Sequence, residues 1–230
     1  MPVSETAAIE ITGYNWVPDF AKGQVRDLRV RWALEEIGLP YRVRLMHPAE
    51  ARPEGYVREH PFEQVPTYHE GDIHLFESGA ILLHIGEKDE RLMPREAAGR
   101  ARAIAWVFAA LNSVEPALQS LALINSFCAG EEWAKLRRPG AEDFARVKLG
   151  RVSDWLGTGD WLEGRFTIGD LMMAAVLRMV EPYGLIGEFP VLKSYLDRAE
   201  ARPAFQAALA AQMRDFTGTP PARAELVRRA

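Results

Sequence analysis

The stretch from Gln64 to Ile81 constrains the fold of this chain more than any other segment. It contains Val65-Pro66, an alternating segment, the turn residues Glu70-Gly71-Asp72, a second alternating segment and then Glu77-Ser78 before an apolar run. This order predicts two antiparallel strands joined by a tight turn, followed by a helix that opens at Glu77-Ser78. The Val65-Pro66 bond is a candidate cis peptide, since cis bonds occur almost only before proline.

The same stretch predicts a binding site for a small acidic peptide. A helix start offers unpaired backbone N–H groups and a partial positive charge, so a carboxylate can dock there. A cis bond at Val65-Pro66 would turn the backbone N–H and C=O of Val65 outward as an edge for an extended peptide. A peptide edge beside a carboxylate site indicates a receptor for a small peptide.

Composition argues against several other classes of protein. The 230 residues are 48% apolar, which is enough for a packed core. The formal charge of −4 does not indicate the excess of positive charge that nucleic-acid binding needs. Cys128 is the only cysteine, so neither an intrachain disulfide nor a cysteine-based zinc site is possible. The five histidines lack metal-ligand spacing. Since the start lacks an apolar signal core and no apolar run approaches about 20 residues, we expect a cytoplasmic protein without membrane or metal.

The first part of the chain alternates strands and helices. Strand patterns at 9–12 and 41–45 flank a helical pattern at 25–37, and a weak helix is predicted within 47–59. With the strand pair and helix described above, the order is βαβαββα, which is typical of a thioredoxin-like fold.

The second part shows only helical patterns. They cover 97–111, 112–127 with an interruption at Pro116, 141–156, 168–180, 190–201 and 203–212. We therefore predict a thioredoxin-like domain at 8–86, a linker at 87–95 and an all-helical domain at 96–216.

Several of these segments together resemble the glutathione S-transferase family. His60 to Pro66 followed by Glu77-Ser78 resembles the family's glutathione-binding segment, with His60 in place of the usual Asn and Glu63 in place of Gly. That last difference matters if the position needs a positive φ. Arg29 to Tyr41 resembles the first helix and second strand, and Phe166 to Asp170 resembles a buried capping box. The terminal helices fit as well, so the resemblance covers about residues 9–212.

The resemblance implies a homodimeric enzyme that uses glutathione as co-substrate without a metal. Its thiolate would attack an apolar electrophilic small molecule. A glutathione-dependent isomerase or dehalogenase on the same site is an alternative. Another is a non-catalytic binding or regulatory protein with this fold.

The resemblance also implies which residues bind glutathione. Ser78 would hold the γ-glutamyl carboxylate, unless its hydroxyl is a plain helix N-cap, and Glu77 would meet the γ-glutamyl ammonium. The Val65 backbone would pair with the cysteinyl residue, held by Pro66. The remaining candidates are Gln64, for the peptide backbone, and Arg52, for the glycyl carboxylate. The alternative for each is a solvent-exposed surface residue that does not contact the ligand.

The thiol activator is the least determined part of the predicted site. In the family, a Tyr, Ser or Cys lies between the first strand and first helix and favours the thiolate. Residues 15–24 contain none of these, so Tyr14, at the end of the first strand, is the nearest hydroxyl. Tyr14 is our first candidate, with a packing role as the alternative. Arg26 is the second, as a fixed cation, with a surface ion pair as its alternative; Lys22 and the helix start also remain open.

Overall fold

The computed structural model of the protein describes residues 2–221, which divide into two compact units. Residues 2–85 and 203–221 form the first unit, and residues 86–202 form the second. The last helix therefore packs with the first part of the chain, although the sequence grouped it with the other helices. The predicted domain boundaries, and the linker at 87–95, stay predictions about independently folding parts.

The first unit follows the predicted βαβαββα order. Its strands are β1 (Ile9–Tyr14), β2 (Tyr41–Met46), β3 (Thr67–Glu70) and β4 (Ile73–Phe76), and its helices are α1 (Asp27–Ile37), α2 (Tyr56–Glu59) and α3 (Ser78–Gly86). The sheet order is β2-β1-β3-β4, in which β1 and β2 are parallel and β3 is antiparallel to both β1 and β4. The thioredoxin-like fold is confirmed.

Helix α1 ends where the sequence predicts. Gly38 has a φ of 71°, in the left-handed region that glycine adopts without a steric penalty. The N–H of Leu39 then donates to the carbonyl of Leu34 at 3.0 Å, and Pro40 follows. This cap turns the chain directly into β2.

A buried polar network joins α1 to the last helix, α9 (Pro203–Asp215). Arg31 donates from Nε to Asp27 Oδ2 at 2.8 Å and from Nη2 to Asp215 Oδ2 at 2.6 Å. Gln212 Nε2 donates to Asp27 Oδ1 at 2.8 Å. Because removing one partner of a buried ion pair leaves an uncompensated charge, these contacts fix α9 against α1.

The second unit is helical. It contains α4 (Ala97–Phe108), α5 (Glu115–Ser126), α6 (Glu132–Leu156), α7 (Ile168–Leu177) and α8 (Pro190–Glu200). The wide turn Ala109–Val114 has π-helical geometry and joins α4 to α5. Pro116 sits in the first turn of α5, where its missing N–H costs no helical hydrogen bond.

The start of α6 differs from the sequence prediction. The sequence pattern predicted a helix from Ala141, but the helix begins at Glu132 and runs through Pro139 and Gly140. A proline inside a helix removes one backbone hydrogen bond. Pro139 is exposed, so water can satisfy the carbonyl that loses its partner.

The continuous helical segment Ala97–Ser126 has the length and composition of a membrane span, with a mean hydropathy of 1.4 over 18 residues. A core helix passes the same test. Ala103 and Val107 of α4 and Leu118 and Leu121 of α5 are fully buried, and these two helices pack against α6 and α7. The segment therefore has the burial pattern of a core helix.

The predicted capping box at the start of α7 is confirmed. Thr167 Oγ1 accepts from the Gly169 N–H at 3.2 Å, and Asp170 Oδ2 accepts from the Thr167 N–H at 2.9 Å. Asp170 also accepts from the Leu162 N–H and the Tyr195 hydroxyl. Burial raises the pKa of Asp170 to about 6, against the hydrogen bonds that favour the carboxylate.

Candidate functional site

The Val65-Pro66 peptide bond is cis, as predicted, and both residues are buried. Two residues earlier, Glu63 has a φ of 54°, in the left-handed region. The position that is Gly in the resembling pattern therefore does adopt a positive φ in this chain, with Glu in place of Gly. The Glu63 carbonyl accepts a hydrogen bond from Arg52 Nε at 2.9 Å, which ties this turn to the preceding loop.

Helix α3 begins at Ser78, and Glu77 occupies the cap position before it. The Glu77 carbonyl accepts from the Ile81 N–H at 3.0 Å. Ser78 is thus the first helical residue, and its interpretation as the N-cap is wrong. Glu77 has a φ of 69° and an exposed side chain, whereas Ser78 is buried. Non-glycine residues in this backbone region are uncommon and cluster at functional sites.

Arg29, on α1, contacts Ser78 directly. Its Nη1 donates to Ser78 Oγ at 3.2 Å, and Arg29 and Ser78 are only 5% and 4% exposed. The contact brings a guanidinium to the N-terminus of α3, where the helix already carries partial positive charge. Sequence analysis did not identify Arg29, because its spacing on α1 does not show which neighbouring element its side chain reaches.

The hydroxyl of Thr12 connects three elements around the cis bond. Thr12 Oγ1 accepts from the Thr67 N–H at 2.7 Å and lies 3.1 Å from both Thr67 Oγ1 and Tyr56 Oη. The Tyr56 hydroxyl donates to the Gln64 carbonyl at 2.7 Å. The residue before Val65 and the residue after Pro66 are thus held by one buried network.

The donor of most hydrogen bonds in this network can be assigned. Each hydroxyl has one hydrogen, and Tyr56 uses its hydrogen on the Gln64 carbonyl. Thr12 therefore acts as acceptor toward the Thr67 N–H, and its own hydrogen goes to Tyr56 Oη or to Thr67 Oγ1. Burial raises the pKa of Tyr56, so its phenol stays protonated at neutral pH. Neither Thr12 nor Tyr56 was among the predicted site residues.

Tyr14, the first activator candidate, lies beside this network. Its half-buried ring packs against the apolar cluster of Met46, Tyr56 and Val65. Burial raises the pKa of Tyr14, while the hydrogen bond and positive charge of Arg52 act in the opposite direction. The phenol is therefore neutral at physiological pH and retains a hydrogen to donate.

Arg52 supports Tyr14 and two segments of loop backbone. Its Nη2 donates to Tyr14 Oη at 3.2 Å, and its guanidinium carbon lies 5.4 Å from the centre of the Tyr14 ring. Its Nη1 donates to the His47 carbonyl at 3.0 Å, in addition to the contact of Nε with Glu63. Its alternative role as a plain solvated surface residue does not fit these contacts.

The remaining predicted residues are placed less specifically. Arg26 is half-buried at the N-cap position of α1, and its carbonyl accepts from the Arg29 N–H at 3.1 Å. The neighbouring Val25 packs, like Tyr14, against the cluster that contains Val65. The Gln64 side chain is exposed, and its backbone carbonyl is the part that Tyr56 holds.

Neither metal chemistry nor a core thiol is evident at this site. Within residues 2–221, no group of three or more His, Cys, Asp or Glu residues is arranged to hold a metal ion. Cys128 is a free, half-buried thiol just after α5.

The chain is similar to known proteins of one family. Residues 17–87 match the model of the glutathione S-transferase N-terminal domain. FtsZ-localized protein A of Caulobacter vibrioides is 29% identical over 204 residues, covering 79% of this chain and 85% of that protein. Glutathione S-transferase 3 of Zea mays is 29% identical over 199 residues, covering 80% of this chain and 88% of that protein.

A solved structure agrees with this match over both units. A glutathione transferase family member from Pseudomonas fluorescens Pf-5, with two glutathione molecules bound, is 26% identical, with a TM-score of 0.77. The match covers 87% of this chain and 92% of that one. Residues 17–87 thus match the family's N-terminal domain, and most of the chain is similar to members of the glutathione S-transferase family. Within this family fold, the cis bond and the start of α3 lie on the elements that the sequence singled out.

The Thr12 network yields a stability prediction. Thr12→Val keeps the side-chain shape but leaves the buried Thr67 N–H without its acceptor, so we expect a loss of about 1–3 kcal/mol in the free energy of unfolding. Urea denaturation measures this loss. The control is Thr6→Val, since Thr6 is exposed and its hydroxyl makes a surface contact with Ser4. Equal stability of the Thr12 and Thr6 variants would contradict the assignment of Thr12 as a buried acceptor.

Proposed function

We propose that this protein is a glutathione transferase, which binds glutathione and promotes attack of its thiolate on an apolar electrophilic small molecule. The observation that carries this proposal is the packing of the neutral Tyr14 phenol against the cluster that contains Val65. A peptide cysteine on the Val65 backbone edge would then meet a hydroxyl donor. A hydrogen bond to the charged form of a group lowers its pKa, so this donor favours the thiolate.

The binding half of the proposal assigns each part of glutathione to a residue. The γ-glutamyl carboxylate goes to Ser78 and the N-terminus of α3, and the ammonium goes to the exposed carboxylate of Glu77. The cysteinyl backbone pairs with Val65, next to Pro66 and Gln64. Support comes from the glutathione-bound family member of similar fold.

Under this proposal, the role of Arg52 is revised and the role of Arg26 is kept. Arg52 already makes hydrogen bonds to Tyr14, His47 and Glu63, so it supports the phenol and the cis-proline loop rather than serving only the glycyl carboxylate. Arg26 is kept as the second candidate for thiolate stabilisation, through its fixed charge at the start of α1.

We further propose a cytoplasmic homodimer. Exposed apolar side chains occur on β4 and on the loop before β3, where Phe62 is 67% and Phe76 is 37% exposed. Apolar side chains grouped on a surface mark protein–protein contacts more often than isolated ones do. A second copy of the chain is the partner that the family resemblance implies.

A second candidate function is non-catalytic binding. The segment from Asn15 to Gln24 contains no Ser, Cys or Tyr, and one relative carries the name FtsZ-localized protein A. On this account the protein associates with FtsZ, and any glutathione it holds is not turned over. Co-sedimentation with polymerised FtsZ, together with an unshifted thiol pKa in bound glutathione, would favour this candidate. Absence from the pellet, together with a lowered thiol pKa, would favour the transferase.

Replacing Ser78 tests the binding site. Ser78→Ala removes a hydrogen bond to a carboxylate worth about 1.5–3 kcal/mol, so we expect glutathione affinity to fall at least tenfold. Isothermal titration calorimetry measures the affinity, with Ser153→Ala on α6 as the matched control. Equal affinity of wild type and Ser78→Ala would exclude Ser78 as a glutathione ligand.

Replacing Tyr14 tests the activation step. Tyr14→Phe removes the phenol donor, so the apparent pKa of the thiol in bound glutathione should rise by about 1 to 2, equivalent to about 1.5–3 kcal/mol. Thiolate absorbance against pH measures this value. Tyr183→Phe, whose hydroxyl contacts Ser126, serves as control. An unchanged pKa in the Tyr14 variant would shift the assignment to Arg26.

A further inference from the structure

We propose that Arg29 is a positioning residue for the proposed glutathione site, where it fixes Ser78 as a hydrogen-bond donor to the γ-glutamyl carboxylate. This inference rests on the proposed function and deepens it. It adds a residue of α1 to a site otherwise built from β3 and α3. It also identifies which part of the ligand depends on that residue.

The Ser78 hydroxyl carries a single hydrogen. A serine oxygen can accept hydrogen bonds and donate one. Arg29 Nη1 donates to this oxygen at 3.2 Å. A guanidinium has no acceptor, so the Ser78 hydrogen must turn away from Arg29. The hydroxyl is thereby prepared to donate to an incoming acceptor.

The electrostatics of the contact select an anionic acceptor. The Arg29 guanidinium is permanently charged, because its pKa lies far above neutral pH. It lies at the N-terminus of the nine-residue helix α3, where the helix dipole also contributes positive potential. Two positive sources at one buried hydroxyl favour a carboxylate over a neutral acceptor. The γ-glutamyl carboxylate is the group that the proposed function brings to this point.

Burial makes the contact stronger than a surface contact would be. Arg29 and Ser78 are 5% and 4% exposed, so water competes weakly for their hydrogen bonds and screens their charges poorly. Arg29 also belongs to α1, whose last turn is closed by Gly38 and whose face is tied to α9 through Arg31. The guanidinium is therefore presented by a fixed helix rather than by a loop.

A purely structural role for Arg29 makes a different prediction. If Arg29 only held α1 against α3, its removal would weaken binding of every ligand of the site to the same extent. If Arg29 acts on the carboxylate through Ser78, its removal weakens binding only of ligands that carry this carboxylate. A comparison of two ligands therefore separates the two roles.

The experiment measures four affinities by isothermal titration calorimetry. Wild type and Arg29→Gln are each titrated with glutathione and with 4-aminobutyryl-cysteinyl-glycine, which lacks only the γ-glutamyl carboxylate. We expect Arg29→Gln to lower glutathione affinity at least tenfold and to change affinity for the analogue less than twofold. Arg42→Gln is the matched control, since Arg42 lies on β2 and pairs with Glu10; it should leave both affinities unchanged.

A second variant keeps the test possible if Arg29→Gln does not fold. Arg29→Lys keeps the positive charge, and we expect it to bind glutathione about two- to fivefold more weakly than wild type, because a lysine also donates hydrogen bonds but lacks the planar guanidinium. Thermal unfolding of each variant reports whether it is folded. If Arg29→Gln does not fold, Arg29→Lys carries the test: a twofold or greater loss confined to glutathione supports the assignment, and any other result overturns it.

The outcomes distinguish this inference from the proposed function. Equal losses for both ligands in Arg29→Gln, or no loss for either, would overturn the role of Arg29 while wild-type binding upholds the proposed site. Failure of wild type to bind glutathione would overturn the proposed function, and with it the role of Arg29.

Discussion

The buried hydroxyl of Thr12 is the contact on which the geometry of the cis-proline loop depends. It accepts the Thr67 N–H at 2.7 Å and lies 3.1 Å from Tyr56 Oη, which in turn donates to the Gln64 carbonyl. One side chain of β1 therefore fixes both flanks of Val65-Pro66 through α2 and β3. A buried N–H without a hydrogen-bond acceptor lowers the free energy of unfolding by about as much as a typical core mutation. This network therefore leaves the loop little conformational freedom. The peptide edge that the function needs is thus a consequence of core packing.

Two positively charged side chains organise the candidate site at its opposite ends. Arg29 contacts Ser78 at the start of α3, where the carboxylate of the ligand is expected. Arg52 contacts Tyr14 and the loop before the cis bond, where the thiol is expected. The first cation sits where negative charge binds, and the second sits behind a hydroxyl that would stabilise negative charge. The proposed function thus assigns binding and activation to different residues, so it predicts that the two properties can be altered separately.

Much of the fold was predictable from the sequence, because its signals are local. Val65-Pro66, the Glu70-Gly71-Asp72 turn, Gly38 and the Thr167–Asp170 box each act through neighbouring residues, and each has the predicted geometry. The site residues that the sequence did not reveal depend on contacts between distant parts of the chain. Arg29, Thr12 and Tyr56 acquire their roles from contacts across 49, 55 and 44 residues, which no spacing rule reveals. The start of α6 was also predicted wrongly: the helix includes Pro139, and a proline inside a helix is uncommon because it removes one backbone hydrogen bond.

The most direct test of this account is a crystal structure of the protein with glutathione bound. We expect the γ-glutamyl carboxylate within hydrogen-bond distance of Ser78 Oγ, the cysteinyl backbone paired with Val65, and the sulfur within about 3.5 Å of Tyr14 Oη. Glutathione bound with its sulfur away from Tyr14 would contradict the activation mechanism. Glutathione bound away from Val65 and Ser78 would contradict the site itself.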